Sequence, residues 1–427
     1  MEKGLCAGAS AAVINIPDDF FPYRSFKGRF FTGQHDDIYV RSILLEQGPD
    51  RLLFVSIELG DFGKITEWKN KIRQVVDVPE DHIFITVTHD HPSPHVCDDW
   101  DQEVVDVEKT AWFGDLVWEA LKRSLQECCM NMQPARIAFG HGSCSINKNR
   151  DDPPRPRRIL DGDPHGLSDK TVEVARITAL DGKTIALFIN YSVHGSVMMG
   201  VPIKDGGMLV SGDLPGYTSR YVEGAYDYPV VALWTSGAAG DQDPIYPAKR
   251  MKRINGKPEV TFDAGEAGYI LVQVMAEELA DEVLYVADGL DDGESDVSIW
   301  AMQKDYTVPG KVNLHRAPDD LTGFSYEDAP PVDFHLSMAA LGDVVFVGIP
   351  GELVCHIGQE VKEALSAFCS RAIVVTHCNG SLSYISDKEG FARFTPESAR
   401  SHIKEGYAEQ VIIGKAVEMA VMRAGSH

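Results

Sequence analysis

The residues best suited to chemistry lie in Thr88-His89-Asp90-His91-Pro92-Ser93-Pro94-His95. Side-chain direction in an extended segment repeats every second residue, so His89 and His91 face one side. Two imidazoles converging at a strand end make a metal half-site, or else a pair of hydrogen-bonding loop histidines. A further histidine, in Asn190-Tyr191-Ser192-Val193-His194-Gly195, closes another apolar run. The glycine beside it permits close backbone approach, although taken alone His194 reads as a satisfied core histidine. Glu352, in Gly348-Ile349-Pro350-Gly351-Glu352, falls between a strand-like and a helix-like run. An acid there reads as a helix-start partner of the dipole or a capping-box acid. Tyr384, in Asn379-Gly380-Ser381-Leu382-Ser383-Tyr384, also follows a strand, where an isolated tyrosine otherwise packs.

Each of these segments needs an element behind it to position it. His82–Thr88 is a β-branched run short enough for a buried strand. Thr184–Val193 precedes His194, Asp343–Val347 precedes Gly348, and Ala372–Thr376 precedes Asn379. Strand ends are where open α/β sheets bind ligands. Ile38–Leu45 and Arg51–Ile57 read as paired strands around the turn Gly48-Pro49-Asp50. Ala135–Gly140, Val172–Ala179, Val230–Thr235, Ile299–Gln303 and Phe334–Leu341 read as further strands. Helical spacing covers Lys64–Val76, Val105–Met130 with an interruption near Gly114, and Asp213–Glu223 with Asp213 as cap. It also covers Phe262–Val286, Gly351–Phe368 and Ser398–Ala424. The alternation predicts an α/β fold, a layered mixed β-sheet flanked by helices, as a single large domain over 1–427. A Pro-rich excursion within 304–332 is expected to cap one edge. Asn147–Gly166, with four prolines, four arginines and no period, is expected to be a long functional loop.

Composition narrows the function classes. A chain of 427 residues with 44% hydrophobic and 24% charged content buries a large core without disulfide or metal staples. A net charge of −24 repels phosphate backbones and anionic surfaces, which argues against nucleic acid and membrane partners. No apolar run reaches the length of a membrane span, so no membrane insertion is expected. The N-terminal residues lack a basic segment followed by an apolar stretch, and the eight cysteines form no C-x-x-C. Both point to reduced thiols in a cytoplasmic setting. The expected partner is a small-molecule substrate, and a homo-oligomer is compatible with the sequence.

Taken together the motifs form an ordered set: Thr88-His89-x-His91, Val193-His194-Gly195, Ser211-Gly212-Asp213, Gly240-Asp241-x-x-Pro244, Pro350-Gly351-Glu352 and Asn379 to Tyr384. The set resembles the neutral/alkaline (non-lysosomal) ceramidase family, and matching flanks occur at Phe54–Gly60, Ile146–Arg150 and Ala179–Asn190. The resemblance runs over nearly the whole chain and corresponds to that family's catalytic domain. It implies a zinc-dependent amidohydrolase acting on linear amides through metal-activated water. One Zn²⁺ per chain would be held by His89, His194, Glu352 and Tyr384, with the metal's charge making the phenol available as a donor. His91 would be the general acid/base, and Arg150, assisted by Tyr384, would meet the substrate or the oxyanion. Ser211, Asp213 and Asp243 would contact substrate.

Two departures bear on the substrate. Asp243 stands where the family has serine, favouring a cationic or multiply hydroxylated group, and the family's second tyrosine has no match near Phe394 and Pro396. A smaller or more polar substrate than ceramide is therefore expected. The alternatives are a metallohydrolase of lactones or esters and a non-catalytic, metal-bearing binding protein. The dinuclear metallo-β-lactamase pattern H-x-H-x-D-H breaks at Ser93 and Pro94. The acidic Asp98-Asp99-Trp100-Asp101 and the basic Pro153–Arg158 read as solvated segments, and His377 and Cys378 as groups supporting the metal ligands.

Overall fold

In the computed structural model, described residues span 4–425 apart from 26–28, 97–104, 152–157, 160–161, 164, 204–205, 255–256 and 314–324. Eight strands form the larger sheet: β1 (Cys6–Val13), β2 (Tyr39–Gln47), β3 (Asp50–Ile57), β4 (Ile83–Val87), β5 (Gln133–Ser143), β6 (Thr171–Ala179), β7 (Thr184–Tyr191) and β8 (Val231–Ser236). Their spatial order is β8-β7-β6-β5-β1-β2-β3-β4. Most neighbours are antiparallel, but β3/β4 and β7/β8 are parallel. A second sheet holds β9 (Ile299–Asn313), β10 (Tyr326–Leu341), β11 (Val344–Gly348) and β12 (Arg371–Val375), in that order, with β11/β12 parallel. Both sheets are mixed.

Period-two alternation explains how the layers stack. On β2 and β3, Ile43, Leu45, Leu52 and Phe54 face the second sheet, where they meet Ile299, Phe346 and Val375. Phe54, Phe84, Phe188 and Phe346 pack there with ring centroids 5.1–5.4 Å apart. The intervening Leu44, Leu53 and Val55 face outward, under α1 (Ile65–Arg73) and α2 (Val107–Met130). Farther along, α3 (Asp213–Gly224) and α4 (Gly268–Gly289) cover Leu187, Ile189 and Trp234. On the opposite side α5 (Cys355–Leu365) and α6 (Tyr407–Ala424) cover Leu336, Met338 and Val347. The result is an α/β sandwich of helices, sheet, sheet and helices. Each sheet has two apolar faces, so its strands read as nearly continuous apolar runs.

Several expected elements change. The helix over Val105–Met130 runs unbroken through Gly114. The helix expected from Phe262 starts at Gly268, and Lys257–Asp263 instead pairs with Lys249–Ile254 as a hairpin whose Val260 and Phe262 are exposed. The 304–332 excursion is largely the distal half of the long β9/β10 hairpin, and its tip, 314–324, lies outside the described residues. The closing helix is interrupted: Pro396–Arg400 ends at Ser401, and the chain re-enters at Tyr407 through Gly406, whose φ is +80°. Most of the loop after Asp151 and the whole Asp98–Asp101 cluster lie outside the described residues. No disulfide joins the described cysteines, and no described helix is long and apolar enough to cross a membrane.

Candidate metal centre

Parallel pairs in both sheets send their C-terminal ends to one rim. There β3 runs on to Asp61, β4 to His89, β7 to His194, β11 to Glu352, and β12 to His377 and Tyr384. The two histidine loops are locked together. Asp90 bridges Gly195, and the His91 N–H donates to the Gly195 carbonyl at 2.7 Å. A Cβ on Gly195 would lie 2.4 Å from Asp90 Oδ1, so glycine is required for this approach. Glu352 is on a short strand, Glu352–Leu353, that pairs in parallel with Tyr384–Ile385 and places Glu352 directly beside Tyr384. It is thus not the helix-start acid that its spacing suggested, since that helix begins at Cys355. His89, His377, Asn379 and Ser383 all hold positive φ without being glycine, a concentration of backbone strain around one rim.

The imidazoles are oriented by carbonyls. His89 Nδ1 is 2.6 Å from the Gly60 carbonyl oxygen, and His194 Nδ1 is 3.1 Å from that of Gln242. Carbonyl oxygens only accept, so each Nδ1 donates and a neutral ring keeps its lone pair on Nε2. Both Nε2 atoms face a single carboxylate oxygen, Glu352 Oε2, at 3.3 and 3.2 Å. All three residues are nearly fully buried. Two lone pairs aimed at one carboxylate repel unless a proton or a metal cation lies among them. His89 Nε2 is buried without meeting hydrogen-bond geometry to any group, as expected of a ligand atom. One ring nitrogen from each of His89, His91 and His194 lies within 4.8 Å of the others. The donor set therefore fits a divalent metal.

The electrostatics show a cluster that favours positive charge beside Glu352, whether from a proton or from a metal ion. Burial opposes ionisation of Glu352, yet the His89 and His194 imidazoles outweigh it and hold its carboxyl well below the usual carboxylate range. Burial likewise opposes charging of His89, and Glu352 outweighs it, pushing His89 up. Burial pushes the Tyr384 phenol up, with Arg150 and Arg400 pulling against it. Their guanidinium carbons lie 5.2 and 5.6 Å from the Tyr384 ring centroid.

Arg150 reaches the same rim but is engaged by its own chain. Its Nε donates to Glu397 Oε1 at 2.7 Å, its Nη2 donates to the same oxygen, and its Nη1 is 3.4 Å from Asp243 Oδ1. Asp243, in Gln242–Pro244 paired with Asn147–Asn149, thus meets an arginine of this chain. Ser211 and Asp213 are not brought to the three donors as exposed groups. Ser211 Oγ accepts the Asp213 N–H, and the Asp213 carboxylate accepts from the backbone of Val197, Met198 and Leu214, so it anchors the loop after His194.

Four neighbours were not found by sequence reasoning: Arg29, Asp61, Ser381 and Glu397. Asp61 accepts from Ser381 Oγ at 2.6 Å, and burial pushes its carboxyl up. It follows the end of β3, so the strand-end rule that picked His89 would have found it. Arg29 donates to the His91 carbonyl oxygen and lies beside the His91 ring. His377 stacks on His89 with ring centroids 4.1 Å apart, the supporting place expected of it.

A polar cavity of about 220 Å³ is lined among others by Asn149, Asp151, Asp241, Val354, His356 and Asp387. Four of its wall residues lie near the site's own residues in sequence: Val354 lies two past Glu352, Ser386 two past Tyr384, and Asn149 and Asp151 flank Arg150. His356 and Asp387 belong, with Glu409, to a second group with ligand atoms within 4.8 Å of one another.

No protein-family model matches the chain, and no curated protein matches it either. Solved structures do. Neutral ceramidase from Pseudomonas aeruginosa superposes with a TM-score of 0.77 at 16% identity, over 100% of this chain and 75% of that one. A ceramidase complexed with C2 superposes with a TM-score of 0.75 at 16% identity, over 100% and 76%. The chain has the fold of neutral ceramidase, the fold that the order of its motifs implies.

Proposed function

We propose that this chain, built on the ceramidase fold, is a zinc-dependent hydrolase of N-acyl amide bonds acting as one unit over 1–427. One observation carries the reading: two histidines held by backbone carbonyls turn their free Nε2 atoms onto one oxygen of Glu352 at a shared strand-end rim. His89, His194 and Glu352, with Tyr384 alongside, would hold the ion, and two imidazoles with oxygen donors suit Zn²⁺. A bound Zn²⁺ supplies a Lewis acid for a carbonyl oxygen and lowers the pKa of water to about 7.

The chain's own residues do the positioning. The Gly60 and Gln242 carbonyls fix the two rings so that neither reorganises on binding. Arg150, held by Glu397 and Asp243, presents its guanidinium across the Tyr384 ring, which keeps positive charge beside a phenol oxygen and a developing oxyanion. Tight packing around the buried donors excludes bulk water, which strengthens these interactions. The Asp243–Arg150 pair at the rim favours an amide smaller or more polar than ceramide.

The test is a panel of N-acyl amides, with N-acyl p-nitroanilides of increasing chain length among them, assayed before and after chelation and after zinc is restored. Hydrolysis that disappears with chelator and returns with Zn²⁺ is expected. Hydrolysis indifferent to chelator and intact in His89→Ala would refute the reading.

A further inference from the structure

We infer that Arg29 fixes His91 as a hydrogen-bond donor to substrate, through its Nε2–H, which makes it neither a metal ligand nor the general base. The inference rests on the hydrolase reading for its substrate and on geometry alone for its tautomer.

Arg29 grips His91 at two points. Its Nη1 donates to the His91 carbonyl oxygen at 2.7 Å, and its Nη2 lies 3.0 Å from His91 Nδ1. Nη1 also lies 3.4 Å from His95 Nε2. A guanidinium has five N–H donors and no acceptor. The atom facing Nη2 must therefore be a lone pair, and a neutral His91 then carries its proton on Nε2. A planar fork that clamps both the backbone and the ring also fixes the ring's rotation.

The three histidines are thus sorted by what their Nδ1 atoms meet. In His89 and His194 a carbonyl oxygen faces Nδ1, leaving Nε2 as a lone pair for the metal. In His91 a guanidinium faces Nδ1, leaving Nε2 as an N–H. That Nε2 is buried and finds no acceptor among the described residues. An unmet buried donor beside a metal site is what a substrate carbonyl oxygen, or the oxyanion that follows it, would satisfy. An imidazole already protonated at Nε2 cannot accept water's proton there, and Arg29 occupies its other nitrogen. His91 is then a catalytic residue by hydrogen bonding, and Arg29 is the positioning residue that makes it so.

The experiment uses the full-length, zinc-loaded protein with ¹⁵N-labelled histidine, and the His91 ring signals are assigned by their loss in His91→Gln. Wild-type protein should show the Nε2–H tautomer at His91 and the Nδ1–H tautomer at His89 and His194. Arg29→Met should keep one zinc while redistributing the His91 proton, and kcat on a p-nitroanilide that the wild type cleaves should fall roughly 10²-fold with KM within about threefold. His91→Gln, which still offers an N–H, should stay within about tenfold of wild type, whereas His91→Leu should lose about 10²–10³-fold. An Nδ1–H tautomer in the wild type, or equal loss in His91→Gln and His91→Leu, would overturn the inference. Loss of zinc in Arg29→Met would overturn it too, by making Arg29 a support of the ligands. An Nε2–H tautomer in a zinc-loaded protein that cleaves no amide would support the tautomer and sink the hydrolase reading instead.

Discussion

Replacing Glu352 by glutamine isolates the charge on which the centre depends. The side chain keeps its length and one oxygen, and its carboxylate oxygen stands 3.2 and 3.3 Å from the two imidazole Nε2 atoms. At an effective dielectric of about 20, two unit charges at about 4 Å interact by about 4 kcal/mol. A divalent cation doubles that, and the amide's residual dipole and the desolvation already incurred offset part of it. A net loss near 4 kcal/mol corresponds to about 10³-fold weaker zinc binding. The metal-free protein also loses the pairing of the carboxylate with the two imidazoles, so the zinc contribution is read as the difference between the metal-free and zinc-loaded forms. Calorimetric melting with chelator and with excess Zn²⁺ separates the two. Wild type should gain about 4 kcal/mol when free zinc is about 1,000 times Kd, and Glu352→Gln should gain little at the same zinc concentration. Wild-type zinc affinity in Glu352→Gln would refute the reasoning.

Four further outcomes follow from the same geometry. His89→Ala and His194→Ala should each lose zinc at concentrations that saturate the wild type, whereas His91→Ala should retain it, as read by elemental analysis after dialysis. Gly240→Ala should weaken zinc binding at least about tenfold and destabilise the protein by about 1–3 kcal/mol, because the added Cβ would lie 2.6 Å from the Glu352 carbonyl oxygen and 2.8 Å from Leu353 backbone atoms. The helical control Gly414→Ala has nothing within 4 Å of the new Cβ and should be neutral or slightly stabilising. Burial pushes Asp213 up to about 6 from 3.8, against the pull of the Met198, Leu214 and Val197 N–H groups. A carboxyl with a raised folded value favours folding most while both states are protonated, and that advantage is lost as pH climbs from about 4 through 6. Stability should therefore shift in favour of Asp213→Asn relative to wild type by about 2 kcal/mol between pH 4 and 7 in urea titrations. A constant gap would mean that Asp213 ionises at its ordinary value.

Local signals made the rim legible in the sequence. His89, His194 and Tyr384 each follow a short apolar run, and such runs in a two-faced sheet show no polar alternation to obscure them. Glu352 was placed on the correct connection but on the wrong element. Its strand exists only because Tyr384–Ile385, about thirty residues later, pairs with it, and helical spacing over Gly351–Phe368 cannot register such a partner. The 257–263 hairpin strand was absorbed into the helix after it for a similar reason: its exposed Val260 and Phe262 add to an apolar pattern that burial does not explain. The split into two facing sheets was also hidden, since both faces of each sheet are apolar and no pattern says which sheet a strand joins. Arg29 was illegible altogether. It reaches His91 from 62 positions away, and nothing in Phe26-Lys27-Gly28-Arg29-Phe30 marks it as more than a surface cation. Glu397 acts on Arg150 across a still longer separation. Residues that orient others by long-range contact leave no local spacing to read.

The most direct test of the centre is anomalous diffraction at the zinc edge from crystals of the zinc-loaded chain. One peak is predicted, bonded by His89 Nε2, His194 Nε2, Glu352 and Tyr384, with His91 outside its coordination sphere. A peak only at His356, Asp387 and Glu409, or no peak among the three buried donors, would contradict the account.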